Sequence, residues 1–207
     1  MKPDGADQEP AAAAPVYGLI LAGGSSTRMH RDKAALQYRG KTQLDRAFDL
    51  GSRHVDKVFV SVRTNQATDP TRAQRPLIVD CVKGEGPIVG IRSALAAHPS
   101  VAWLVLACDL PFLSDTALSQ LLRQRDPTAL ATAFRSTHDG LPEPLCAIWE
   151  PSAASALVAY QRDGGSCPRK FLLRHAAALL EPLDKRALDN VNTPEEYTAA
   201  VAALDVS

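Results

Sequence analysis

Val16-Tyr-Gly-Leu-Ile-Leu21-Ala-Gly-Gly-Ser-Ser-Thr-Arg-Met-His-Arg-Asp-Lys33 begins as a short apolar run and ends as a glycine-bearing, basic loop. Apolar side chains occupy both parities of the run, the pattern of a strand covered on both faces, as in a parallel sheet. The same pattern recurs outward along the chain. Val58-Phe-Val-Ser-Val62, within residues 55–62, is rich in β-branched residues; Leu77-Ile-Val79 stops at Asp80; residues 101–107 stop at Cys108-Asp109. Between the runs lie helix patterns. Residues 114–123 place Leu118, Leu121 and Leu122 on one side behind Ser114 as N-cap. Thr193-Pro-Glu-Glu196 is a helix start with a capping box and a first-turn proline. Residues 42–50 and 90–97 fit shorter helices. Strands alternating with helices predict one open α/β sheet with helices on both sides, spanning residues 15–207. Residues 1–14 read as an Ala/Pro-rich disordered tail.

The 207 residues suffice for one domain with a substantial core. With 45% hydrophobic and 22% charged residues, wholesale disorder is out. Lys plus Arg and Asp plus Glu each number 23, for a net charge of zero. That balance argues against a chain whose task is to grip nucleic acid or an anionic bilayer. No apolar run approaches the roughly 20 residues of a membrane span, and the first residues lack the basic-then-apolar order of a signal peptide. A cytoplasmic location is expected. The four cysteines, at 81, 108, 146 and 167, form no Cys-x-x-Cys pair, and the five histidines form no His-Glu-x-x-His helix. They read as thiols packed like small hydrophobes in a reducing compartment, without a structural zinc.

In an open parallel sheet, ligands gather outside the carboxyl ends of the strands, so three loops carry the chemistry. In the first, Gly23 and Gly24 let the backbone approach a ligand, and Arg28, Arg31 and Lys33 place three cations within six positions. That suits a polyphosphate, or else a flexible turn with surface bases. The second holds Asp80, then Gly84-Glu-Gly-Pro-Ile-Val-Gly90, which can hold a sugar or base or simply reverse the chain. The third sets Asp109 directly after a buried strand, where a carboxylate can meet a hard cation such as Mg²⁺ or cap a turn. Two further patterns carry less. Ala35-Leu-Gln-Tyr-Arg-Gly-Lys-Thr42 fits a relaxed phosphate-loop pattern but follows Arg31-Asp-Lys33 rather than a buried strand. Gly84-x-Gly86-x-x-x-Gly90 departs from the dinucleotide spacing, and Pro87 removes an amide donor.

Leu21-Ala-Gly-Gly-x-Ser-x-Arg28-Met29-x-x-Asp32-Lys33 resembles the opening signature of the molybdenum cofactor guanylyltransferases, within the wider sugar-nucleotidyltransferase-like group. Gly86-Pro-x-x-Gly90, Cys108-Asp109-x-Pro111-Phe112 and Asn190-Val-Asn-Thr-Pro-Glu-Glu196 follow in that family's order, so the resemblance runs from about residue 16 to about residue 203. It implies a Rossmann-like three-layer α/β/α domain of the nucleotide-diphospho-sugar transferase type with a mostly parallel sheet. GTP would lie over Leu21, Ala22, Gly23 and Gly24 and touch Asp80. Lys33 would meet the phosphates, with Arg28 and Lys33 as catalytic cations. Asp109 would be catalytic and hold Mg²⁺. The acceptor would be molybdopterin, whose terminal phosphate attacks the α-phosphorus of GTP and releases pyrophosphate, with Pro144, Asn190 and Asn192 on the acceptor side. Cofactor delivery and acceptor proteins would be its partners. CTP-using relatives tend to read Ala-Ala-Gly where this chain has Ala22-Gly23-Gly24, which favours guanine; His30 departs from a glycine usual in the family. Two alternatives stand beside this one. They are a transferase of the same fold using CTP or another phosphorylated acceptor, and a non-catalytic nucleotide-binding delivery subunit.

Overall fold

A computed structural model describes residues 13–23 and 32–205. Its strands are β1 (Val16–Leu21), β2 (Gln37–Tyr38), β3 (Lys41–Thr42), β4 (Val58–Val62), β5 (Leu77–Val79), β6 (Ala102–Ala107), β7 (Ala131–Arg135), β8 (Pro142–Trp149) and β9 (Ala178–Leu180). Its helices are α1 (Gln43–Ser52), α2 (Pro87–Ala97), α3 (Asp115–Arg123), α4 (Ala153–Arg162), α5 (Pro168–Arg174) and α6 (Pro194–Asp205).

Seven strands form one sheet in the order β5-β4-β1-β6-β8-β7-β9. Parallel pairing on both sides of β1 sets Gly18 opposite Val58 and Leu104. All six residues of β6 are buried, as an apolar run on both parities requires. One face packs on α1 and α3 through Leu44, Leu50, Val60, Leu104, Leu118 and Leu121. The other packs on α2, α4 and α5 through Ile88, Ile91, Trp103, Leu157 and Phe171. This is the expected three-layer, mostly parallel α/β architecture. Among the described strands of this sheet only β8 runs against its neighbours, antiparallel to both β6 and β7.

The cap residues act as their chemistry predicts. Ser114 Oγ accepts the Ala117 amide, Thr42 Oγ1 accepts the Asp45 amide, and Thr193 and Glu196 complete their reciprocal box. Helix α2 starts at Pro87, three residues before the expected Gly90, because Gly86 turns the chain at φ 78° and Pro87 has the φ of a first helical turn.

Pro142-Glu-Pro144 opens β8, an interior strand of the sheet. It is tolerated because β6 pairs only with residues 146–149, leaving the two prolines beyond its hydrogen bonds. The phosphate-loop-like segment is a two-stranded ribbon of β2 and β3, turned by Arg39 and Gly40 at φ 50° and 75°. Cys108 and Cys146 are buried as expected, but Cys81 is exposed on the turn after β5. Most of the expected tail lies outside the described residues; Ala14, at its end, has a carbonyl that accepts from Arg125 Nη1 at 2.7 Å. Among the described residues no helix is long and apolar enough to cross a membrane.

Candidate active site

The carboxyl ends of β1, β4, β5 and β6 open on a cleft of about 850 Å³. It lies where the strand order reverses: the chain builds outward from β1 through β4 to β5, then returns to place β6 on the other side of β1. Such a switch point leaves a crevice that diverging connections cannot fill.

Lys33 lines this cleft. It begins a 3₁₀ turn (Lys33–Ala35) capped by Asp32, whose Oδ1 accepts the Ala34 amide at 3.0 Å. Its Nζ donates to Asp109 Oδ2 at 3.0 Å and to Asn192 Oδ1 at 2.5 Å. The Lys33 and Asp109 side chains are only 19% and 25% exposed, so water screens their attraction incompletely. Asp109 lies two residues beyond the end of β6, and its carbonyl accepts the Val191 amide at 3.0 Å. That bond holds the segment before α6 against the strand end. Glu196 Oε2 accepts the amides of Asn192 and Thr193, so the cap of α6 also orients Asn192.

Asp80 stands beyond β5 and lines the same cleft. Its Oδ1 is buried with no hydrogen-bond partner among the described residues. Burial pushes the Asp80 carboxyl above its ordinary pKa, with the Arg63 charge and a Ser61 hydrogen bond pulling the other way. An ionised oxygen held away from water without a donor is costly, and the cost is recovered when a ligand supplies one. The wall beside it needs Gly90. A Cβ there would stand 2.4 Å from Ser61 Oγ and 2.9 Å from Leu21 Cδ2, so α2 approaches β1 and β4 only without a side chain.

Leu21, Ala22, Gly23, Lys33, Asp80 and Asp109 all line this cleft, and Asn192 reaches it through Lys33. Two expected residues stand apart. Pro144 is buried in β8, its carbonyl accepting Trp149 Nε1 at 3.1 Å, and the adjacent Leu145 reaches the cleft instead, since neighbouring side chains on a strand point to opposite faces. Asn190 is exposed and outside the lining, because the Val191 amide, not its own, is tied to Asp109. Gly24, Arg28 and His30 lie outside the described residues. Sequence inspection overlooked Ser61, Arg63 and Arg72. Arg72, 1% exposed, donates to the Ala22 carbonyl and to the carboxylates of Asp32 and Asp69. It lies 40 to 50 positions from two of these partners, so no local pattern marks it.

The donors around Lys33 are hard oxygens, those of Asp109 and Asn192. Cys108 adds no thiolate: burial, with the charges of Asp109 and Asp32, pushes its thiol up to about 12. Among the described residues no group of three or more His, Cys, Asp or Glu converges. One carboxylate at a strand end suits Mg²⁺, which keeps water and substrate phosphates as most of its ligands.

A switch-point cleft lined by a lysine, a strand-end carboxylate and a buried carboxylate oxygen unpaired among the described residues defines a nucleotide-handling α/β domain. Comparison with known proteins narrows this. The chain belongs to the MobA-like NTP transferase domain family, whose model matches residues 18–200. It is 34% identical over 187 residues to the molybdenum cofactor guanylyltransferase of Pseudomonas paraeruginosa, covering 89% of this chain and 93% of that protein. It is 35% identical over 183 residues to the molybdenum cofactor biosynthesis bifunctional protein of Synechocystis, covering 88% of this chain but spanning about half (53%) of that longer relative. Among solved structures it superposes on molybdopterin-guanine dinucleotide biosynthesis protein A from Archaeoglobus fulgidus. There the TM-score is 0.76 at 23% identity, covering 92% and 100% of the two chains, a likeness of fold.

Proposed function

We propose that this domain transfers GMP from GTP to the terminal phosphate of molybdopterin, yielding a guanine dinucleotide and pyrophosphate. The observation that carries the proposal is the joining of Lys33, Asp109 and Asn192 at a cleft that Asp80 also lines, with a buried oxygen that has no partner among the described residues. The activity in the name of the Pseudomonas relative, which aligns over nearly its full length, supports it.

Both reactants are anions, so the reaction requires alignment and dispersal of charge more than a covalent nucleophile. An oxygen of the acceptor phosphate attacks the α-phosphorus. The bond from that phosphorus to the bridging oxygen of the β-phosphate breaks, and pyrophosphate takes the electron pair. Lys33 places its ammonium against the phosphates and, as charge grows on the leaving group, stabilises it. Asn192 and Asp109 hold that ammonium in place. Asp109 is also the residue to hold Mg²⁺, which when bound supplies further charge neutralisation. Asp80 selects the base: guanine presents two donors, N1–H and the N2 amino group, to an oxygen that lacks one. Cytosine offers a single amino donor beside an acceptor nitrogen that repels a carboxylate.

The test is pyrophosphate release by the purified chain with Mg²⁺, GTP and molybdopterin, with the dinucleotide product identified by mass. CTP in place of GTP is expected to support little turnover. Turnover with CTP alone overturns the guanine assignment. Tight GTP binding without release in the presence of acceptor favours the delivery-subunit alternative.

A further inference from the structure

Arg72 lies on a turn between β4 and β5 that is itself braced. The Arg72 amide donates to the Asp69 carbonyl, Asp69 Oδ1 accepts the Thr71 amide, and Arg75 Nη1 donates to the Thr71 carbonyl. From this support the guanidinium reaches three groups. Nε and Nη2 donate to the Ala22 carbonyl at 3.2 and 3.0 Å, Nη2 also meets Asp32 Oδ2 at 2.6 Å, and Nη1 lies 3.3 Å from Asp69 Oδ2. Ala22 and Asp32 flank the glycine-bearing, basic stretch of residues 23–31. Asp32 is engaged on both oxygens, since its Oδ1 caps the turn that bears Lys33.

We infer that Arg72 is a positioning residue for nucleotidyl transfer. It clips the start of the nucleotide loop to its end and thereby sets where Lys33 stands relative to Asp109. The inference rests on the nucleotide cleft proposed above and extends it to a side chain that touches no substrate. A buried ion pair is a poor source of net stability, since well-packed apolar residues often serve as well. What a guanidinium adds is geometry: a planar fork that engages several acceptors at fixed angles, which an ammonium cannot reproduce. A carbonyl at one end of the loop and a carboxylate at the other are the acceptors such a fork joins.

The experiment compares Arg72→Lys and Arg72→Met with Arg125→Met, which removes another mostly buried arginine far from the cleft, whose side chain is 10% exposed. At temperatures where each variant is folded by circular dichroism, kcat is expected to fall about a hundredfold in Arg72→Met, as for a misplaced catalytic group. Arg72→Lys recovers part of that loss, with the Michaelis constant for GTP changing less than kcat. Arg125→Met lowers the melting temperature and leaves kcat as in the wild type. Wild-type kcat in Arg72→Lys together with Arg72→Met, or an equal kcat loss in Arg125→Met, overturns the inference. If Arg72→Met does not fold, full kcat in Arg72→Lys alone overturns it. A wild-type chain that releases no pyrophosphate defeats the proposed transfer instead. The clip is then read by hydrogen exchange: the Ala34 amide loses protection in Arg72→Lys and keeps it in Arg125→Met, and unchanged protection in both overturns it.

Discussion

Arg72 and Arg125 are both guanidinium groups withdrawn from water, at opposite ends of the parallel strands. At the amino end, Arg125 makes a two-pronged bond to Glu150 at 2.6 and 2.7 Å and a third to the Ala14 carbonyl. Glu150 is 3% exposed, so the pair is sealed, and it ties backbone that the sheet already holds. At the carboxyl end, the carboxylates facing Arg72, those of Asp32 and Asp69, remain 39% and 35% exposed. Nearby, Asp80 keeps a buried oxygen without a partner among the described residues. One end of the sheet satisfies its charges among themselves; the other leaves them incompletely matched where a ligand can complete them. Such incompleteness costs stability and is found where function needs it.

The largest effect that can break this contrast is at Asp109. Asp109→Asn is expected to lower kcat by ~10³-fold, the scale of losing one preorganised electrostatic group, while the melting temperature barely moves. Retained turnover in a pyrophosphate-release assay removes Asp109 from the mechanism and makes the two ends alike. Next is Glu150→Gln, which leaves the Arg125 charge buried beside a neutral amide. It is expected to cost about 3 kcal/mol in urea unfolding with kcat unchanged. A kinetic defect at equal folded fraction means the amino end is coupled to the cleft.

Asp80→Asn sharpens the contrast through pH. Burial raises the Asp80 pKa in the fold, so relative to the unfolded chain the protonated form is favoured. Its contribution to stability is therefore full below about pH 4, the ordinary aspartate value, and is lost as pH rises through the raised one. At neutral pH the ionised group opposes folding. Asp80→Asn is accordingly expected to melt higher than the wild type at pH 7, with the gap closing on acidification. The same variant is expected to gain less from added GTP in thermal shift and to raise the Michaelis constant for GTP about tenfold, the worth of one charge-assisted hydrogen bond. A lower melting point at pH 7 contradicts the idea that the oxygen is held in reserve. The smallest effect is at Thr193→Ala, which removes the α6 cap at a cost of about 1 kcal/mol. Through Asn192 it is expected to lower kcat about twofold, against none for the same change at Ser114, the α3 cap farther from Lys33.

Much of this molecule was legible before its fold was known. Apolar runs on both parities placed β1, β4, β5 and β6, and Ser114 and Thr193 marked their helices, because burial pattern and capping act within a few residues. The antiparallel strand β8 was not legible, since its prolines argue against an interior strand until one sees that β6 stops short of them. Site residues followed the same division. Lys33, Asp80 and Asp109 sit at strand ends or beside a glycine-bearing loop, positions a sequence pattern can single out.

Their partnerships could not be read from the chain, because Lys33 meets Asp109 across 76 positions and Asn192 across 159. The sheet order, with β6 beside β1 and the α6 cap folded back onto the β6 end, brings them together. Arg72 is the extreme case, a charge in an unremarkable turn whose partners are fixed by how β1, β4 and β5 are laid side by side. Short-range order thus follows from residue type and spacing, whereas the meeting of distant charges depends on topology. The reason is physical: hydrogen bonds and ion pairs act over a few ångströms of space, and only the packed sheet turns a separation of a hundred residues into such a distance.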